Sequence, residues 1–144
     1  MKSYITAAIL IIASAICVSG QTAHRIVADI PFEFSVGKEK LPSGTYEFEM
    51  TNRHAYPGAL VIRTTTPGAI RSFIIPALVD EPAKSAGPAI LFNRYGSTYF
   101  FSKMNADAGT IALKVWKSNE EKRLAKESRE VVPVRIKPTI TAKR

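Results

Sequence analysis

Residues 88–104, PAILFNRYGSTYFFSKM, decide how this chain folds. Two apolar and aromatic runs flank a central Asn93-Arg94-Tyr95-Gly96-Ser97, and runs of this kind around a glycine-containing turn read as a β-hairpin. Ile90 and Phe92 on one arm, with Tyr99 and Phe101 or Phe100 and Met104 on the other, supply the large side chains that make a strand worth burying. Gly96 can take the positive φ that so short a loop needs.

Upstream, the period of two recurs. Ile26, Ala28, Ile30, Phe32, Phe34 and Val36 fall on alternate positions with Arg25, Asp29, Glu33 and Ser35 between them, the pattern of a half-buried strand. Pro31 lies on the opposite face and has no amide to donate, so this strand lies at a sheet edge or is broken there by a bulge. Residues 37–40 turn the chain. Tyr46, Phe48 and Met50 then oppose Thr45, Glu47 and Glu49 in a second amphipathic strand. Residues 52–58 read as a loop, 59–63 as a third strand, 66–68 as a tight turn, and 69–75 as a fourth strand ended by Pro76. The stretch 76–88, PALVDEPAKSAGP, is rich in proline and is expected to be the longest irregular segment and a mobile loop.

Downstream of the hairpin, residues 105–109 turn and 110–116 form the last strand of the main sheet. Ser118-Asn119-Glu120-Glu121 is a capping box, in which Ser118 accepts from the amide three residues on and Glu121 reaches back to the Ser118 amide. Glu120 and Glu121 at the start, Lys126 and Arg129 near the end, and the Arg123–Glu127 spacing all favour a helix. Only Leu124 and Ala125 offer it an apolar face, so a helix this short depends on Leu124 docking. Trp116 reads as the core anchor that holds the helix to the sheet. Val131 to Ile136 alternate again, but Pro133 and Pro138 confine this stretch to an edge strand or a loose tail.

The chain is therefore expected to be mainly β: an antiparallel β-sandwich or small barrel with one short C-terminal helix. Its parts are a signal peptide at 1–20, a β-domain at 21–117, a short charged helix at 118–130 and a basic tail at 131–144. Phe32, Phe34, Tyr46, Phe48, Ile62, Phe92 and Phe101 are the expected core.

Lys2 precedes a charge-free run over residues 5–18, too short for the roughly 20 residues of a membrane-spanning helix and suited to the apolar region of a signal peptide. Val18-Ser19-Gly20 fits a cleavage site, so the mature chain is expected to begin at Gln21 in the periplasm or outside the cell. A lipid-attachment reading of Cys17 is opposed by Ile16, where a small residue is wanted. The only cysteine leaves with the signal, which removes disulfides, thiolate nucleophiles and Cys-ligated metals from the mature domain. The formal net charge of +8 is concentrated beyond Lys114. It points to an anionic envelope polymer or lipid surface as a partner for the tail, or to a solvated terminus. A monomer is expected.

PFEFSVG at 31–37, LPSGTYEF at 41–48 and LFNRYGSTYF at 91–100 resemble a family of small uncharacterised exported bacterial proteins, common in acidobacterial genomes. Its members run from a signal peptide through PFxFxVG and LPxGxY strands to an FxRYGxxYF hairpin and a charged helix. The resemblance implies export and this order of elements; it assigns no activity. Asn93 stands where many relatives have histidine, and Ala112 to Trp116 replace a shorter link to the helix.

No residue set carries a catalytic or cofactor motif. Glu47 and Glu49, two apart on one strand face, have a spacing that a glycoside hydrolase uses, and a polysaccharide hydrolase is the alternative they suggest. Alternating acids on an outer face also serve solubility alone. His24 and His54 form no HxxxH or HExxH frame, and a metal site would need the fold to bring them to Asp29 or Glu33. The G-x-S-x-G elbow and the phosphate-binding P-loop are missing, and the RNP aromatics of an RNA-binding sheet are too. The candidate ligand-binding residues are Asn93, Arg94, Tyr95 and Tyr99 at the hairpin tip, where aromatic, guanidinium and amide groups suit a sugar or a peptide strand. An exported, non-enzymatic binding or structural β-domain is the reading that follows.

Overall fold

The computed structural model describes residues 24–51, 58–65, 71–80, 87–106, 112–128 and 130–143. The hairpin forms as expected from β7 (Ala89–Tyr95) and β8 (Thr98–Asn105), with Tyr95 opposite Thr98 and Gly96 at φ 62° in the two-residue turn. The register shifts between Leu91 and Phe92, so that Leu91 faces Lys103 while Phe92 faces Phe101. Such a bulge bends the strand pair and increases its twist.

The alternating stretch after His24 divides into β1 (His24–Ile30) and β2 (Phe34–Val36), with the exposed Pro31 in the break. Where a turn is expected over 37–40, a short strand β3 (Glu39–Leu41) pairs with β2 across Gly37 and Lys38. Gly37 takes φ 61°, so this second two-residue turn uses the same glycine device as the first. β4 (Gly44–Thr51), β5 (Gly58–Thr64) and β6 (Ser72–Asp80) form an antiparallel meander, and β9 (Ala112–Val115) pairs with both β6 and β8. β6 runs through Pro76, which corrects the expectation of an irregular segment from that residue. β9 reaches only as far as Ala77, so Pro76 lies where one flank of β6 is unpaired among the described residues, a position that tolerates a missing amide. Residues 66–70, 81–86 and 107–111 lie outside the described residues, as does most of the 52–58 loop.

The helix α1 (Asn119–Glu127) is capped by Ser118, whose hydroxyl accepts from the Glu121 amide at 3.1 Å. Residues 131–144, expected as an edge strand or a loose basic tail, contribute two strands, β10 (Val132–Ile136) and β11 (Ile140–Lys143). β10 pairs antiparallel with β7 at one end of the sheet and β11 with β1 at the other. Both are edge strands, which is where Pro133 in β10 can be accommodated, and Pro138 falls between the two. The link between them is tied down by a hydrogen bond from the Thr139 amide to the Val27 carbonyl at 2.8 Å.

The eleven strands among the described residues form one mixed sheet, mainly antiparallel, in the order β10-β7-β8-β9-β6-β5-β4-β1-β11. The β2–β3 pair branches off: β2 runs parallel to the start of β8, and β9 occupies the same flank of β8 further along. The sheet folds over on itself in a sandwich-like arrangement. Phe48 on β4 stacks on Phe101 of β8 at 5.7 Å, and Phe34 meets Tyr46 and Phe92 edge-on at 5.2 Å each. All the expected core residues are buried except Phe32, which is half-buried and packs against the core from the β1–β2 break.

Tyr46 is buried on β4 and donates its hydroxyl to the Pro42 carbonyl at 2.6 Å. Burial pushes this phenol above its ordinary value of 10.0. The folded chain then holds the phenolic proton more tightly than the unfolded chain, so stability present below about pH 10 is lost as pH rises through the folded-state value. Denaturant midpoints measured across alkaline pH should fall more steeply for the native protein than for Tyr46→Phe. Parallel curves would show that this phenol contributes nothing to the alkaline limb.

Candidate functional site

Strand alternation decides the fate of the four residues expected at the hairpin tip. Asn93 and Tyr95 lie on the face covered by α1, where Asn93 Nδ2 donates to Glu121 Oε1 at 2.9 Å and the Tyr95 hydroxyl donates to the same oxygen at 3.3 Å. Lys117 Nζ donates to the Tyr95 hydroxyl at 3.3 Å and sits 6.0 Å from the ring centre, while Phe100 meets that ring edge-on. Arg94 and Tyr99 are register partners, so they share the other face. There Tyr99 stacks on Phe32 with ring centres 3.9 Å apart, and Arg94 Nε is buried with no hydrogen-bond partner among the described residues.

Glu121 is therefore a structural group, buried to 3% exposure. Its backbone completes half of the capping box as expected, but its carboxylate turns to the sheet instead of back to Ser118. It docks the helix in the role expected of Trp116, which is 49% exposed and anchors nothing in the core. Leu124 and Ala125 are only half-buried. Glu121→Ala strands one buried and one half-buried donor, Tyr95 and Asn93, and should destabilise the domain by about 2–3 kcal/mol, whereas Glu121→Gln, which keeps an acceptor, should cost less. Chemical denaturation of the two variants separates them, and equal small losses would mean the helix is held elsewhere.

Where β2 branches from β8 a cleft of about 230 Å³ opens, lined by Phe32, Glu33, Phe34, Ser35, Lys40, Ser97, Thr98 and Tyr99. Tyr99 is the one residue of the expected tip cluster that reaches it. The parallel register sets Phe34 beside Tyr99 and Ser35 beside Phe100, while the β2–β3 ladder places Lys40 opposite Ser35. The stacked Phe32 and Tyr99 rings belong to one side, and polar side chains surround the remainder. Ser35 is only 5% exposed. Neither its hydroxyl nor those of Ser97 and Thr98 make a side-chain hydrogen bond to another described residue, and Glu33 and Lys40 make no ion pair among them.

Glu47 and Glu49 occupy the outer face opposite Tyr46 and Phe48, as the alternation implies. Arg25 stands opposite Glu49 on β1, and Arg63 opposite Glu47 on β5. Arg63 bonds Glu47 at 3.0 Å and also Glu49, while Arg25 approaches Glu47 at 3.4 Å and Glu49 at 3.9 Å. The hydrogen bond to Glu49 is the main reason the Arg63 guanidinium sits above its ordinary value. Two carboxylates and two guanidiniums thus clasp three strands, and each partly exposed pair contributes on the order of 0.2–1 kcal/mol.

No protein-family model, curated protein or solved structure matches this chain. The site must be judged on its own chemistry. Among the described residues no group of His, Cys, Asp and Glu could hold a metal ion, and no helix is long and apolar enough to cross a membrane. His54 lies outside the described residues, and Asp29 accepts from the Thr45 hydroxyl at 3.4 Å. Sequence reasoning missed Ser35, Lys40, Ser97 and Thr98 because the cleft depends on a parallel pairing between strands distant in sequence. One signal was available: Ser35 is a polar residue between the buried Phe34 and Val36.

Proposed function

We propose that this chain is an exported, non-enzymatic β-domain that binds a small polar ligand of the cell envelope in the cleft between β2 and the β7–β8 turn. The observation that carries the reading is the set of polar side chains around one aromatic-walled cleft that have no partner among the described residues. Buried polar groups are normally hydrogen-bonded, so the buried Ser35 and half-buried Thr98 side chains, unengaged beside an aromatic pair and flanked by the exposed Glu33, Lys40 and Ser97, make a surface suited to a ligand rich in donors and acceptors. Export is supported by Lys2, the charge-free run at 5–18 and Val18-Ser19-Gly20, together with the PFxFxVG, LPxGxY and FxRYGxxYF resemblance.

The volume sets a limit on ligand size. At about 230 Å³ the cleft is smaller than the roughly 300–1,000 Å³ of drug-sized pockets, so it grips one or two units or the end of a longer chain. The hydrolase reading of Glu47 and Glu49 finds no comparable support, because both carboxylates are engaged by Arg25 and Arg63. A polyanion contact through the basic C-terminal residues has only their charge in its favour.

The test is a titration of the 15N-labelled protein with chitotriose and with dialanine, as probes for envelope glycan and peptide. Amide shifts should centre on Ser35, Ser97, Thr98 and Tyr99 for at least one probe, and Tyr99→Ala should weaken that binding about tenfold or more through loss of the aromatic wall. Shifts that leave the cleft untouched would overturn the reading. New reducing ends released from an envelope polysaccharide, lost in Glu47→Gln, would replace it with the hydrolase.

A further inference from the structure

Several opposite charges on the surface are paired: Glu47 and Glu49 with Arg25 and Arg63, Asp80 with Lys103, Arg123 with Glu127. Two that line the cleft are not. Glu33 and Lys40 line the same small space, with Lys40 opposite Ser35 in the β2–β3 ladder and Glu33 two residues before Ser35, yet they make no ion pair. Ser35, 5% exposed, lines the same space, and the Phe32–Tyr99 stack forms a wall of it. A neutral ligand would use the hydroxyls and the rings but would leave both charges idle.

Resting on the cleft as the binding site, we infer that its ligand is zwitterionic: a free amino acid or short peptide whose ammonium group meets Glu33 and whose carboxylate meets Lys40. The Ser35, Ser97 and Thr98 hydroxyls then serve the backbone amide and carboxylate oxygens, and the ring wall takes the side chain. A carboxylate and an ammonium held apart in a site of this size select for both the presence and the separation of ligand charges. The small volume agrees, since it admits one or two residues and not a folded partner.

Four dipeptide probes separate the two charges. Dialanine carries both, acetyl-dialanine only the carboxylate, dialanine amide only the ammonium, and acetyl-dialanine amide neither. Affinities from amide shifts of Ser35, Thr98 and Tyr99 should fall about fivefold for each charge removed. Glu33→Gln should weaken dialanine and dialanine amide while sparing acetyl-dialanine, and Lys40→Gln should weaken dialanine and acetyl-dialanine while sparing dialanine amide. Both residues are exposed, so neither substitution threatens the fold. Equal binding of all four probes, or losses that do not cross in this way, would overturn the zwitterion while leaving the cleft in place. Tighter binding of chitotriose at the same amides would do likewise. No shift at the cleft with any probe would overturn both the ligand class and the site.

Discussion

Phe92→Ala is expected to cost about 3–5 kcal/mol, the range for removing a large aromatic from a packed core. Phe92 is 0% exposed, and its ring meets Phe32 and Phe34 at 5.2 Å and Phe101 at 5.9 Å, all edge-on. It therefore joins three parts of the fold: the β1–β2 break, β2 and the far arm of its own hairpin. No neighbour can fill the space without giving up its own ring contacts, so the cavity term should be near its full value. A typical domain has only about 5–15 kcal/mol in hand, which puts the variant close to unfolding at moderate temperature. Guanidinium denaturation with an unchanged m-value would measure the loss. A variant within about 1 kcal/mol of the native protein would mean that the hairpin is peripheral to stability. Phe32→Ala, at a half-buried position, should cost less and serves as the internal comparison.

Deleting residues 131–144 is expected to abolish cooperative folding. The deletion removes β10 and β11 from opposite ends of the sheet, together with Val134 and Ile136, which pack against the core. It would strip the pairing of Arg94, Phe92 and Ile90 along β7 and of residues 24–27 along β1. Partial burial of two branched side chains and the lost ladder bonds together amount to order 5 kcal/mol, comparable to the whole stability of a small domain. Two newly bared edges would also invite aggregation. Thermal unfolding followed by circular dichroism should lose its sigmoidal transition. A truncated protein that melts cooperatively near the native midpoint would show that the last two strands are ornaments on a complete sheet. A removable tail, the expectation from charge and proline content, would give that same outcome.

Local patterning alone determined the strand character of most of the chain, since alternation at Ile26–Ala28–Ile30 and Tyr46–Phe48–Met50 is a property of neighbours two residues apart. It also determined the β7–β8 turn at Gly96 and the helix start at Ser118, because turn and cap chemistry act within three or four residues. The burial of Phe34, Tyr46, Phe48, Ile62, Phe92 and Phe101 followed from the same periodicity. What the chain could not reveal locally was which flank each strand presents to which partner. Pro76 reads as a strand end by its own chemistry, and only the short reach of β9 makes it admissible within β6. Residues 131–144 read as an edge strand or a loose tail because Pro133 and Pro138 interrupt their alternation, and only pairing with β7 and β1 decides for strands. Glu121 reads as a helix cap until the sheet supplies Asn93 and Tyr95 as donors. The cleft is the furthest from local reading. It exists because β2 pairs in parallel with β8, and a pairing between residues more than sixty positions apart leaves no periodic trace in either segment.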